Sequence, residues 1–246
     1  MKIPDLNEEE KKLVKQLCGM FPTYLKTYWG VDELPDFREL QVRTSREFLR
    51  FRKCGYTLDY FYRHCETFLP ELVWYATNPG RIQSVCKRLR ILKHFGVKRL
   101  VDFGSGVGTD CFVYAHFGIR TTQVEFKNRS RDFSRWLFKH VRMDKATRFA
   151  DPARFVSKLA SGRTYDAIQA IEVVAHVESP YYLFSTFMKR AGLVMWTNDI
   201  GLHRGEHKDP QHLPHSLKKV IDSLDKHGEK FKIDGMAIPP RVWVKK

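Results

Sequence analysis

Apolar residues in the first 80 positions recur at intervals of three and four, the spacing of one helical face. In "DLNEEEKKLVKQLCGMF", Leu13, Val14 and Leu17 share such a face, and Asn7 followed by Glu10 forms a capping-box pattern ahead of it. "DFRELQVRTSREFLRFRKCG" predicts a second amphipathic helix that stops at Gly55. "YTLDYFYRHCETFLPELVWYATNPG" is dense in aromatics, with Pro70 expected to divide it and Asn78-Pro79-Gly80 to turn the chain.

Beyond this turn the rhythm changes. Asn78 predicts a helix cap with Pro79 at the first helical position, and the helix runs through "RIQSVCKRLRILKHF" to Gly96. Short apolar strands follow at "RLVDF", "RTTQVEF", "TRFA", "YDAIQAI" and "GLVMWT", with helical stretches between them. A last helix, "SLKKVIDSLDKHG", precedes two strands, "KFKIDGMA" and "RVWVKK", joined by a turn containing Pro239 and Pro240. Five strand–helix units predict an α/β parallel sheet covered on both faces, and the closing pair adds an antiparallel hairpin.

Composition narrows the class. The 246 residues are 43% hydrophobic, enough for a sizeable core. No apolar run approaches the roughly 18 residues of a membrane span. The start, "MKIPDLNEEEKK", lacks the apolar region of a secretory signal. Cys18, Cys54, Cys65, Cys86 and Cys111 are scattered, odd in number and without a CxxC pair. They read as reduced core thiols of a cytosolic protein, not as a disulfide framework or zinc site. The net charge of +15 is uneven: residues 1–80 hold 12 basic and 12 acidic side chains, residues 81–246 hold 31 and 16. The step divides the chain into a helical cap, 1–80, and an α/β domain, 81–246. It also allows an anionic partner for the second unit.

The candidate chemistry begins at "VDFGSGVGTD", residues 101–110. Gly104, Gly106 and Gly108 alternate directly after the first predicted strand, where a ligand can approach the backbone and the following helix amides face it. A dinucleotide fingerprint would need glycine at 109, and that residue is Thr109. A tight strand-to-helix turn without a ligand is the plain alternative. Two acids raise the signal: Glu125 closes the second strand, placed to accept ribose hydroxyls, and Asp151 follows the third.

With these residues the chain resembles the class I S-adenosylmethionine-dependent methyltransferases over residues 98–246. The resemblance implies a seven-stranded, mostly parallel Rossmann-like sheet with a terminal antiparallel hairpin, preceded here by the helical cap. It implies S-adenosyl-L-methionine as cofactor. Gly104, Gly106 and Gly108 would pass under its methionine and ribose portions, and Asp102 would lie near the ammonium. Glu125 would hold the ribose hydroxyls, Ala150 and Asp151 would contact adenine, and Phe126 would cover one face of that ring. A core role for Phe126 is the alternative.

At the end of the fourth strand, "AIEVVAHVESP" (170–180) is similar to the E-x-x-E-H segment of ubiquinone-type O-methyltransferases and small-RNA 3′-end methyltransferases. Glu172 and His176 match, but Ala175 replaces the second acid and removes a hard oxygen ligand, so no metal is assigned. His176 is a candidate general base and Glu172 a candidate contact to cofactor or substrate. Packing or capping is the alternative for His176. Downstream, "NDIGLHRGEHKDPQHLPH" carries His203, His207, His212 and His215 without a zinc spacing. Asn198 and His212 are the candidate substrate contacts there. Tyr56, Tyr60, Tyr62, Trp74 and Tyr75 line either a pocket or the contacts between cap helices.

"KNRSRDFSRWLFKHVRMDKATR", residues 127–148, holds eight basic and two acidic residues, with Arg131, Arg135, Lys139 and Arg142 on one face. Such a stripe fits phosphate contacts or a solvated surface. No RNA-binding module, base-methylating "PPY" motif or Pro-Cys pair accompanies it. The expected function is methyl transfer to a hydroxyl or amine of a small molecule. An RNA 3′-end methyltransferase and a non-catalytic cofactor-binding partner are the alternatives.

Overall fold

A computed structural model describes residues 3–173, 176–177, 179–196, 217–231 and 241–246. Six helices come first: α1 (Glu8–Gly19), α2 (Phe21–Trp29), α3 (Phe37–Lys53), α4 (Leu58–His64), α5 (Phe68–Ala76) and α6 (Pro79–His94). The capping box at Asn7 and Glu10 forms as expected, and Asn78 caps α6 with Pro79 in its first turn. Pro70 does not divide the aromatic segment. It sits in the first turn of α5, where a missing N–H breaks no helical bond. The division lies before it, between His64 and Phe68. The pattern also passed over α2, which starts directly after α1 and ends at Gly30 in the left-handed region.

Strands and helices then alternate: β1 (Arg99–Phe103), α7 (Thr109–His116), β2 (Arg120–Val124), α8 (Arg129–His140), β3 (Thr147–Ala150), α9 (Pro152–Ala160), β4 (Tyr165–Ala170), α10 (Pro180–Arg190) and β5 (Ala191–Trp196). After α11 (Leu217–Asp225) come β6 (Gly228–Phe231) and β7 (Arg241–Lys245). The seven strands lie in the order β3-β2-β1-β4-β5-β7-β6. The first five are parallel, and β7 runs antiparallel to both β5 and β6. This is the expected seven-stranded, mostly parallel sheet with its terminal hairpin. The rest of the "KFKIDGMA" segment, from residue 232, lies outside the described residues.

Side chains alternate across the sheet with the period of two that a strand imposes. Leu100, Ala167, Leu193 and Met195 face one core; Val101, Ile168, Val194 and Trp196 face the other. The second core is closed by α9, α10 and α11. The first is closed by α6, α7 and α8 together with Val14, Phe21, Leu25, Leu69 and Val73, so α1, α2 and α5 pack within it. A small third cluster, Phe48, Phe61, Tyr62 and Cys65, joins α3 to α4 and receives Phe126 from the sheet side. Among the described residues no helix is long and apolar enough to cross a membrane.

Candidate functional site

The carboxyl ends of β1, β2, β3 and β4 converge on the glycine loop. Gly104 and Ser105 donate their N–H groups to the Val124 carbonyl (2.8 and 3.4 Å), which moors the loop to β2. All three glycines have positive φ, between 53° and 77°. A Cβ on Gly104 would strike Val173, and one on Gly106 would lie 3.1 Å from Leu72 Cδ1 of α5. A Cβ on Gly108 would strike Ser134 Oγ and Gln123 Oε1, which are bonded to each other at 2.8 Å. The chain's own side chains thus stand where each glycine lacks one. At Gly108 the positive φ and this packing together account for the glycine.

Glu125 is the first residue after β2 and ties the loop to its neighbours. Its Oε2 accepts the Gly106 N–H at 2.8 Å, and its Oε1 accepts Phe126 N–H at 2.9 Å and Asn128 Nδ2 at 3.4 Å. Burial pushes the Glu125 carboxyl above its ordinary range, against the pull of these donors. Asn128 also caps α8 through Arg131 N–H (3.0 Å) and donates to the Tyr62 carbonyl of α4 (3.0 Å). One side chain therefore links sheet, basic helix and cap.

Asp151 caps α9, its Oδ1 accepting Ala153 N–H at 3.1 Å, while Oδ2 lies 3.7 Å from Arg63 Nη1. Arg63 also lies over the Phe126 ring, 4.5 Å from its centroid. Ala150 is the last residue of β3, and its carbonyl accepts Glu125 N–H at 3.2 Å.

Asp102, only 4% exposed, is turned inward and accepts Cys111 Sγ–H at 3.4 Å. Burial, then the nearby Asp110 charge, pushes its carboxyl up to about 7. Asp110 shifts the other way. Burial would raise it, but the guanidiniums of Arg81 (2.6 Å) and Arg88 (2.7 Å) outweigh that and hold it low. Arg88 is fully buried and also donates to Ser84 Oγ (2.6 Å) and Tyr114 Oη (3.3 Å); Gln169 Nε2 donates to Asp110 at 3.0 Å.

After β4, Glu172 adopts φ +56°, unusual for a side chain with a Cβ, and its Oε1 accepts the Tyr75 hydroxyl at 2.5 Å. His176 Nδ1 lies 2.7 Å from the Tyr62 hydroxyl, with the two rings edge to face. Both fourth-strand residues are thus held by tyrosines of the cap. The five cap aromatics, read as pocket lining or as contacts between cap helices, do not act as one unit. Trp74 donates to the Pro35 carbonyl (2.8 Å), and Tyr56 and Tyr60 are exposed and stacked at 4.2 Å. Asn198, His203, His207, His212, His215 and Ala175 lie outside the described residues. Among the described residues no group of three His, Cys, Asp or Glu side chains is placed to hold a metal.

On α8, Arg135 and Lys139 are exposed and Arg131 bends inward to the Glu125 carbonyl (3.4 Å). The helix ends at His140, so Arg142, exposed at φ +59°, lies beyond it and the expected four-residue basic face does not form. Arg63, Arg81 and Arg88 escaped the sequence reading. For Arg88 a signal existed: it falls on the Val85, Leu89, Leu92 stripe of α6, where a charge needs a buried partner. For Arg63 none did, because its partners are 63 and 88 positions away.

No protein-family model matches the sequence, and no curated protein does. Among solved structures, a candidate caffeoyl-CoA O-methyltransferase from Staphylococcus aureus is similar at 14% identity and a TM-score of 0.52, over 82% of this chain and 99% of that one. Monomeric WbdD is similar at 14% identity and a TM-score of 0.52, over 67% of this chain but 41% of its own length. At such identities the likeness concerns architecture, and with the strand order it shows that this chain has a class I methyltransferase-like, Rossmann-like fold.

Proposed function

We propose that the protein is an S-adenosylmethionine-dependent methyltransferase acting on a hydroxyl or amine of a small molecule. The observation that carries this reading is Glu125, a carboxylate bonded to the glycine loop at the end of β2. Among the described residues its Oε2 accepts one bond, from Gly106 N–H, which leaves a lone pair there for a ribose hydroxyl, while Oε1 already accepts Phe126 N–H and Asn128 Nδ2. The loop also suits a polar ligand, since Ser105 Oγ, between Gly104 and Gly106, is buried without a hydrogen-bond partner among the described residues. The cofactor would supply a methyl group on a sulfonium, which leaves as a neutral thioether.

In this reading Glu125 holds the ribose, while Ala150, Asp151 and Phe126 form the adenine end. Gly104, Gly106 and Gly108 give the backbone its path beneath the cofactor. Asp102 is assigned to the methionine ammonium, although its carboxyl is turned inward to Cys111 Sγ here. His176 takes the proton of an acceptor hydroxyl, and the bond between its Nδ1 and the Tyr62 hydroxyl orients the ring for it. Glu172, fixed by Tyr75, borders the same space, and Asn198 and His212 are assigned to the acceptor. Positioning and exclusion of water carry most of the acceleration for a transfer of this kind.

The exposed Arg135, Lys139 and Arg142 favour RNA as the second reading. A titration of S-adenosylhomocysteine into wild type and Glu125→Ala is the first test. Loss of charge-assisted bonds predicts affinity about 10- to 100-fold weaker in the variant. Equal binding by both would remove the reading's support. Methyl-labelled cofactor with fractionated extract then separates the acceptors: label in small molecules supports the main reading, and label in RNA with a steep salt dependence supports the second.

A further inference from the structure

We propose that Arg63 is a built-in competitor for the adenine end of the cofactor site; this rests on the reading of Phe126 and Asp151 as that subsite. A guanidinium is a planar π-system rimmed with N–H donors. Here it stands 4.5 Å from the Phe126 ring centroid and 3.7 Å from Asp151 Oδ2. An adenine at the same place offers the same two things, a flat face to Phe126 and an amino N–H to Asp151. Arg63 satisfies both partners with groups of the same shape and polarity.

The two cannot be accommodated together. Asp151 Oδ1 is committed to Ala153 N–H as the cap of α9, so Oδ2 is the oxygen left for a ligand, and Arg63 faces it. Phe126 is half-buried against the Phe48, Phe61, Tyr62 and Cys65 cluster, which limits the ring surface left to share. The contact is also of the strength a competitor needs. Both side chains of the ion pair are about a third exposed, at 35% and 33%, so solvent screens it. The cation–π contact adds a modest attraction. Together they hold the guanidinium in place without resisting a ligand that brings contacts of its own.

Arg63 adjoins Tyr62, the partner of His176. Displacing the guanidinium therefore acts on the turn of α4 that also orients the candidate base.

The test is calorimetric titration of S-adenosylhomocysteine and of adenosine into wild type and Arg63→Met, which keeps the aliphatic stem and removes the planar charge. A thermal melt of each checks that the substitution at the partly exposed Arg63 leaves the fold intact. The variant should bind both probes about three- to tenfold more tightly. Unchanged affinity, or weaker binding by Arg63→Met, overturns the inference while the cofactor reading stands; weaker binding would mean that Arg63 grips the adenine. Absence of binding by either protein overturns both.

Discussion

The Tyr62 hydroxyl lies 2.7 Å from Nδ1 of His176, a bond that crosses from α4 to the end of β4 over 114 positions of sequence. Neither residue holds that geometry through its own element. Tyr62 is fixed by the Phe48, Phe61 and Cys65 cluster and by its carbonyl, which accepts from Asn128. The imidazole is thereby oriented by the cap. Tyr62→Phe removes one hydrogen bond and little volume. Methyl transfer should fall by up to about tenfold and its pH profile should shift, with affinity for S-adenosylhomocysteine unchanged. An unaltered profile would reduce Tyr62 to a packing role.

Arg88 and Asp110 form a fully buried ion pair at the base of the glycine loop. Arg88→Met leaves Asp110 with Arg81 and Gln169 but strips it of its inner counter-charge. Destabilisation of about 3 kcal/mol or more is expected, read as a lowered urea midpoint. Arg81→Met should weaken the fold less, since Arg81 is partly exposed (14%) and its loss leaves the inner pair intact.

Asp102 gives a pH signature. Burial, then Asp110, raises its folded value to about 7, whereas in the unfolded chain it ionises near 3.9. Between these values the folded protein binds more protons, so this group makes stability fall as pH rises from about 4 through 7. Asp102→Asn should flatten that slope. The variant gains on wild type above pH 7 and loses that advantage below pH 4. Urea titrations across pH 4–8 in parallel check it, and parallel curves for both proteins would refute the assignment.

Gly108 and Gly118 share φ +77°, but a Cβ on Gly118 meets nothing within 4 Å. Gly118→Ala therefore measures backbone strain alone, about 1 kcal/mol. Gly108→Ala adds a collision with the bonded pair of Ser134 and Gln123, and should cost about 1–3 kcal/mol more. Comparing the two melts separates conformation from packing.

The periodic parts of the fold were legible because period is local: the strands from β1 to β5, the capping box at Asn7 and the cap at Asn78 follow from neighbours in sequence. The glycine loop and Glu125 were legible for the same reason, each lying at a predicted strand end. Pro70 misled because proline breaks a helix interior yet suits a first turn, and the choice depends on where the helix begins. What closes the site was hidden. Tyr62 and Tyr75 were visible as members of an aromatic cluster, but only the folded chain selects them over Tyr56, Tyr60 and Trp74 as partners of His176 and Glu172.

The shared core on one sheet face has a further consequence. Val14, Phe21, Leu25, Leu69 and Val73 cover the same apolar surface as α6 and α7. A chain beginning at residue 81 would expose that surface to water and should aggregate in place of folding. The full chain should in turn melt in a single cooperative step, with the helical segment and the sheet lost together.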